Sequence, residues 1–195
     1  MSELRTLAVL LCAGIGSRFD GSTHKLLADI DGQTVYERSA HAALSAGIGP
    51  VVAITGAVEL PPILGVEQIR NPHFAAGQGT SLRLALDVAS ERGYSSVVCG
   101  LGDQPLITAA AWRVVGGATD SQIAVATYGG KRRNPVRLAA EVWPLIDGVG
   151  DFGARQLMAL RPELVIEVAC AGFDLDVDTL EDLQAAARLL AEQGK

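Results

Sequence analysis

The stretch that decides the fold is Leu7-Ala8-Val9-Leu10-Leu11-Cys12-Ala13-Gly14-Ile15-Gly16-Ser17-Arg18-Phe19-Asp20-Gly21-Ser22-Thr23-His24-Lys25. A short, uninterrupted apolar run ends in a glycine cluster, the pattern of a buried strand that empties into a loop at a sheet edge. Outward from it, apolar runs alternate with helical patterns. Val51–Ile54, Val66–Arg70, Val97–Leu101 and Ile123–Ala126 read as further strands. Thr34 and Glu37 have capping-box spacing and open a helix that Gly47 closes. Leu82, Ala85, Leu86 and Ala89 recur at i, i+3, i+4 and i+7, which predicts a helix ending near Gly93. Residues 108–116, 139–146 and 152–160 read as helical, and Pro135–Leu138 and Leu164–Val168 as strands. A last helix opens at Thr179, with Asp182 as capping partner, and buries Leu180, Leu183, Ala187 and Leu190. This alternation predicts an α/β fold: one domain over residues 1–195, three-layered, around a mostly parallel Rossmann-like sheet. Sites in such sheets lie beyond the carboxyl ends of the strands, here the loops after Cys12, Arg70 and Leu101.

Composition narrows the function. The chain has 195 residues, a net charge of −6, 49% hydrophobic and 19% charged residues, a globular balance that excludes disorder. A pI near 5.0 argues against a nucleic-acid partner, because phosphate backbones are gripped mostly by Lys and Arg. No run approaches the ~20 apolar residues of a membrane span, and Leu7–Cys12 lacks the flanks of a secretory signal. Cys12, Cys99 and Cys170 have neither disulfide-framework nor zinc spacing. A reducing cytoplasm and no membrane partner are the expectation.

Two familiar phosphate loops fail against the glycine segment. A dinucleotide fingerprint wants a third glycine where Phe19 stands, and a P-loop wants lysine after Gly21, where Ser22 stands. What remains is a loop rich in backbone N–H groups and bracketed by Arg18 and Lys25. Such a loop can nest an anion, with Arg18 forking onto phosphate oxygens and Lys25 adding a compact charge. The strand Val97–Leu101 then runs through Gly102 into Asp103-Gln104-Pro105. A carboxylate there suits Mg²⁺, which takes one or two carboxylates together with substrate phosphates; it equally suits a turn cap before Pro105. Gly102 implies that something approaches the backbone closely.

Together these segments resemble the molybdenum cofactor cytidylyltransferase-like (MobA-like) nucleotidyltransferases. The family's loop reads here as Leu11-Cys12-Ala13-Gly14-Ile15-Gly16-Ser17-Arg18 with Lys25 downstream. It is followed by Asn71-Pro72, Gly77-Gln78-Gly79-Thr80-Ser81-Leu82, Gly102-Asp103-Gln104-Pro105, Gly150-Asp151-Phe152-Gly153-Ala154-Arg155 and Asp176-Val177-Asp178-Thr179-Leu180-Glu181-Asp182. The stretch between Arg18 and Lys25 is longer than the family's, and Asn134 precedes Pro135 where the family has Gly-His or a similar small pair.

The resemblance implies a GT-A-like nucleotidyltransferase that moves a nucleotidyl group from an NTP to a phosphorylated acceptor and releases pyrophosphate. Its expected cofactor is Mg²⁺. The expected partners are CTP in preference to GTP, molybdopterin as acceptor, and a molybdoenzyme apoprotein downstream. Arg18, Lys25 and Asp103 would be catalytic. Cys12, Ala13, Gly14, Ile15, Gly16, Ser17, Asn71, Gly79 and Ser81 would bind the nucleotide. Asp103 and Asp178, or Asp176 in its place, would hold metal, and Pro135, Asp151 and Arg155 would face the acceptor. Ala13 in place of a second glycine is the cytidylyl-like feature. Guanylyl transfer, another small phosphorylated acceptor, and a non-catalytic carrier for a molybdoenzyme stand as alternatives. Lys131-Arg132-Arg133 reads as a solvated loop, with contact to an anionic acceptor as the alternative. His24 and His73 lie in loops beside the site, and Cys12 reads as a packing residue.

Overall fold

The computed structural model describes residues 5–21, 23–147 and 153–193. Strand β1 (Thr6–Cys12) is followed by a small hairpin, β2 (Asp29–Ile30) and β3 (Gln33–Thr34), and then by helix α1 (Val35–Ala46). Next come β4 (Val51–Thr55), β5 (Val66–Arg70), α2 (Gln78–Glu91), β6 (Ser96–Leu101) and α3 (Ala109–Gly117). The chain continues through β7 (Ile123–Tyr128), β8 (Lys131–Ala139), a 3₁₀ turn over Ala140–Leu145, α4 (Gly153–Leu160), β9 (Val165–Ala169) and α5 (Leu180–Gln193). Seven strands form one sheet in the order β5-β4-β1-β6-β8-β7-β9. Six run parallel, and β8 pairs antiparallel with both neighbours.

The sheet has two buried faces. α1, α3 and α5 cover one through Tyr36, Ala40, Trp112 and Ala186. α2, α4 and the 140–145 turn cover the other through Leu86, Leu157 and Trp143. β1, β4, β6 and β7 are mostly apolar because neither face of the sheet there meets water. Helix starts follow the expected chemistry. Thr34 Oγ1 accepts from the Glu37 N–H while Glu37 Oε2 accepts from the Thr34 N–H, a cap worth about 1 kcal/mol. Gly47, at φ 65°, ends the helix.

Two expectations are corrected, for Lys131-Arg132-Arg133 and for Leu180. Lys131-Arg132-Arg133 is not a loop but the start of β8, extended because it pairs with Tyr128, Thr127 and Ala126. The run of β8 from Pro135 onward is reversed relative to the sheet; Asn134 and Pro135 bulge out of the pairing with β7, which suits a residue with no N–H to give. Leu180 is 43% exposed; α5 packs instead through Ala186, with Leu183, Ala187 and Leu190 beside it. β2 and β3 form a hairpin too short to leave a periodic apolar pattern in the sequence. Its turn, Asp31-Gly32, has φ 53° and 79°, the Asp-Gly signal of a type I′ hairpin. Among the described residues no helix is long and apolar enough to cross a membrane.

The glycines at the end of β6 are packing devices. A Cβ at Gly100 would lie 2.5 Å from Trp112, and one at Gly102 would lie 2.4 Å from Cys12 Sγ. Gly102→Ala is therefore expected to destabilise the protein by ~1–3 kcal/mol through overpacking. Combining it with Cys12→Ala should restore part of that loss, because the obstructing sulfur is gone. Urea unfolding of the two single variants and the double variant checks this; strictly additive losses would mean that the contact does not set the cost.

Candidate active site

β1 and β6 lie side by side in parallel, with Leu11 opposite Leu101. The glycine loop leaving β1 and Asp103 leaving β6 therefore emerge at one edge. Gly102 N–H donates to Leu11 O at 3.0 Å, and the buried Ser39 hydroxyl of α1 donates to Gly102 O at 3.0 Å. Val177 N–H donates to Asp103 O at 2.9 Å, which draws the segment before α5 alongside. The Thr179–Asp182 cap, in which Asp182 Oδ2 accepts from the Thr179 N–H at 2.8 Å, fixes where that segment turns into the helix.

The charges meet where these segments converge. Lys25 Nζ donates to Asp103 Oδ2 at 2.6 Å and to Asp178 Oδ1 at 2.8 Å. Arg18 Nη2 reaches Asp178 Oδ2 at 2.8 Å. The Lys25 side chain is 10% exposed and that of Arg18 is 75% exposed. Burial alone would pull the Lys25 ammonium down, but Asp103 and Asp178 outweigh it and hold its pKa above the ordinary value. Asp103 Oδ1 is buried and has no hydrogen-bond partner among the described residues. Cys12 lies beneath, buried, with burial and the nearby Asp103 pushing its thiol pKa up; that favours packing over nucleophilic chemistry.

The loop itself fits an anion. Among the described residues, no hydrogen bond engages the N–H groups of Gly14, Ile15, Gly16 or Ser17. Gly14 is exposed, and Gly16 takes φ 68°, a backbone that a side chain would strain. His24 clips the loop in place. Leu26 N–H donates to its Nδ1 at 3.3 Å, so the ring proton sits on Nε2 and donates to Gly14 O at 3.1 Å. Burial lowers the His24 pKa below 6.5, partly countered by the Gly14 carbonyl. Sequence reading placed His24 beside the site; its function as the clasp of the loop rests on a tertiary bond with no sequence signature.

A cleft of about 680 Å³ opens beside this cluster. Its apolar floor includes Leu82, Val125, Val136 and Met158, and its rim Gln78, Gly79, Arg132, Arg133 and Arg155. One wall is a directed chain of hydrogen bonds: Asn134 Nδ2 donates to Gln104 Oε1 at 3.1 Å, and Gln104 Nε2 donates to Asp176 Oδ1 at 2.6 Å. Burial, with Asp103 adding, raises the Asp176 pKa, and Gln104 offsets part of that rise.

The expected site residues thus divide. Arg18, Lys25, Asp103 and Asp178 form one cluster, next to the loop of Cys12, Ala13, Gly14, Ile15, Gly16 and Ser17. Gly79 and Arg155 line the cleft. Asn71 and Ser81 are each 2% exposed. Asn71 Nδ2 donates to Thr80 Oγ1 at 2.9 Å and to Ser81 Oγ at 3.0 Å, so the pair braces the start of α2 from below. Pro135 is buried, and Asn134 rather than Pro135 lines the cleft. Asp151 lies outside the described residues. Arg132 and Arg133 pair with Glu167 and Asp174 and line the cleft.

Comparison with known proteins decides the family. The model of the MobA-like NTP transferase domain matches residues 8–166. The chain belongs to this family. A nucleotidyl transferase from Methanothermobacter thermautotrophicus shares the fold at 21% identity and a TM-score of 0.85, covering 98% of this chain and all of that one. Rv0371c from Mycobacterium tuberculosis superposes with a TM-score of 0.79 at 26% identity over 96% of this chain and 100% of its own, and its complex with manganese with a TM-score of 0.76. The bifunctional protein GlmU of Agrobacterium fabrum is 31% identical over 114 residues, 55% of this chain and 25% of GlmU. The chain thus spans about a quarter of the length of the curated relatives it matches.

The His24 clasp sets a pH dependence. Its folded-state pKa lies below 6.5, so its contribution is complete above that pH and is lost as pH falls through the lowered folded value. The thermal midpoint of the wild type is expected to fall on acidification below pH 6.5 more steeply than that of His24→Gln, which cannot titrate. Superimposable profiles would show that the clasp does not couple to stability.

Proposed function

We propose that this MobA-like protein transfers CMP from CTP to the terminal phosphate of molybdopterin and releases pyrophosphate. The observation that carries a nucleotidyl-transfer reading is the cluster of Lys25, Arg18, Asp103 and Asp178 beside a loop whose N–H groups at residues 14–17 are engaged by no hydrogen bond among the described residues. It is the arrangement needed to hold a triphosphate and to gather the charge that develops on its leaving part.

Chemically, an acceptor phosphate oxygen forms a bond to the α-phosphorus while the bond from that phosphorus to the bridging oxygen of the β-phosphate breaks in line. The electron pair leaves with pyrophosphate. The acceptor oxygen is already anionic, so no general base is required. The N–H groups of Gly14 to Ser17 orient the phosphates, and Arg18 and Lys25 neutralise the departing pyrophosphate. The residues fit a divalent cation, with Mg²⁺ as the candidate. Asp103 Oδ1 is a buried carboxylate oxygen with no hydrogen-bond partner among the described residues, Asp178 stands across Lys25 from it, and a carboxylate pair suits a cation that keeps several waters. When bound, such an ion supplies charge stabilisation on the phosphoryl oxygens.

Several features support the finer assignments. Ala13 in the loop resembles the cytidylyl branch. The arginine rim of the cleft, with Arg155 in it, matches an anionic acceptor, and the apolar floor matches a flat heterocycle. Delivery to a molybdoenzyme apoprotein in the cytoplasm follows from that acceptor.

Purified protein with Mg²⁺, CTP or GTP, and molybdopterin is expected to release pyrophosphate with CTP preferred. GTP outperforming CTP would replace the donor, and turnover only with a different phosphorylated compound would replace the acceptor. Asp103→Asn is expected to lower kcat by about 10²-fold or more, the scale of losing one preorganised electrostatic group, with the fold retained by circular dichroism but the unfolding midpoint lowered, because the buried Lys25 ammonium loses one of its two carboxylates. Near-normal turnover in that variant would remove Asp103 from the chemistry.

A further inference from the structure

Lys25 and Arg18 are the cations that the glycine loop offers to a triphosphate, and in the structure both are already engaged. Asp178 holds them together, one carboxylate oxygen to each: Oδ1 to Lys25 Nζ and Oδ2 to Arg18 Nη2, both at 2.8 Å. Asp103 takes Lys25 from the other side at 2.6 Å. Two positive and two negative groups cancel at the mouth of the loop, and Asp176 adds a third carboxylate close by. A bare triphosphate arriving here meets neutralised cations and like charge.

We propose that Asp178 is a latch that makes this site refuse a bare triphosphate and accept one only together with a divalent cation. The inference rests on the nucleotidyltransferase reading given above. Opening the latch is an exchange of partners: Asp103 and Asp178 turn to the cation, and Lys25 and Arg18 turn to phosphate oxygens. No covalent bond changes, and each charge regains an opposite one. Arg18 is the member that moves, because its side chain is 75% exposed and lies on a loop; Lys25, at 10%, stays in place and changes partners. Each ligand therefore completes the other's site, and the coupling between them is reciprocal.

Calorimetry with inorganic tripolyphosphate and with CTP, each in EDTA or with Mg²⁺, tests this. In the wild type, Mg²⁺ is expected to tighten both by about tenfold or more, within the usual range for coupled sites. Asp178→Asn keeps an oxygen for Lys25 but sheds the charge that retains Arg18. It is expected to bind metal-free tripolyphosphate about tenfold tighter than the wild type, with little further gain from Mg²⁺. Asp87→Asn removes the same charge from the exposed Arg83 pair on α2 and should leave metal-free binding at the wild-type value.

Several results would overturn the latch: metal-free affinity no higher in Asp178→Asn, an equal gain in Asp87→Asn, or wild-type affinity independent of Mg²⁺. The last of these needs no variant and so stands even if Asp178→Asn unfolds. Mg²⁺-dependent tripolyphosphate binding without CTP or GTP binding would keep the latch and remove the nucleotidyl reading. Mg²⁺-independent CTP binding would do the reverse.

Discussion

The Lys25 ammonium sits between Asp103 and Asp178, residues 78 and 153 positions away in the chain, and most of the geometry around the site exists to bring those groups together. A cation this shielded from water is tolerable only with charge around it. Asp103 reaches it because β6 lies against β1 and because Gly102 lets the strand end pass over Cys12 Sγ. Asp178 reaches it because Val177 is bonded to the Asp103 carbonyl and the Thr179–Asp182 cap starts α5 just beyond. The three segments hold the ammonium, and the ammonium in turn holds the three segments together.

Packing and charge divide the labour around that centre. The small residues at the end of β6 accommodate protein rather than ligand: Trp112 fills the space at Gly100 and Cys12 the space at Gly102. The amides that a phosphate site needs are found at residues 14–17, where no hydrogen bond among the described residues engages the backbone N–H groups and where His24 Nε2 donates to the Gly14 carbonyl. The end of one strand thus carries the carboxylate and the loop after its neighbour carries the amides, at the same sheet edge.

Much of this was legible in the sequence where the signal is local. Buried strands announced themselves as apolar runs, and Thr34, Glu37, Gly47, Thr179 and Asp182 marked helix ends because capping is a short-range matter of hydrogen bonds. The reversal of β8 was not legible. Lys131, Arg132 and Arg133 look like a solvated loop, and only pairing with β7 makes them a strand. Asn71 and Ser81 matched a family motif, yet their polarity serves each other under α2. The partnership of Asp178 with Arg18 and Lys25, and the proton arrangement on His24, depend on contacts between distant segments, for which residue spacing carries no information.

The reversed strand has a consequence for how such a protein can diversify. A parallel strand delivers its last residues to the site edge and then leads into a helix, so altering it disturbs the core. β8 delivers its first residues there, straight after the Gly129-Gly130 turn that joins it to β7; both glycines have positive φ and open space around them. One wall of the cleft is therefore mounted on a hairpin tip, while the charge cluster is mounted on the parallel strands. Insertions or exchanges at residues 129–134 can reshape what the cleft admits and leave the Lys25 centre intact, so the two halves of the site are free to evolve at different rates.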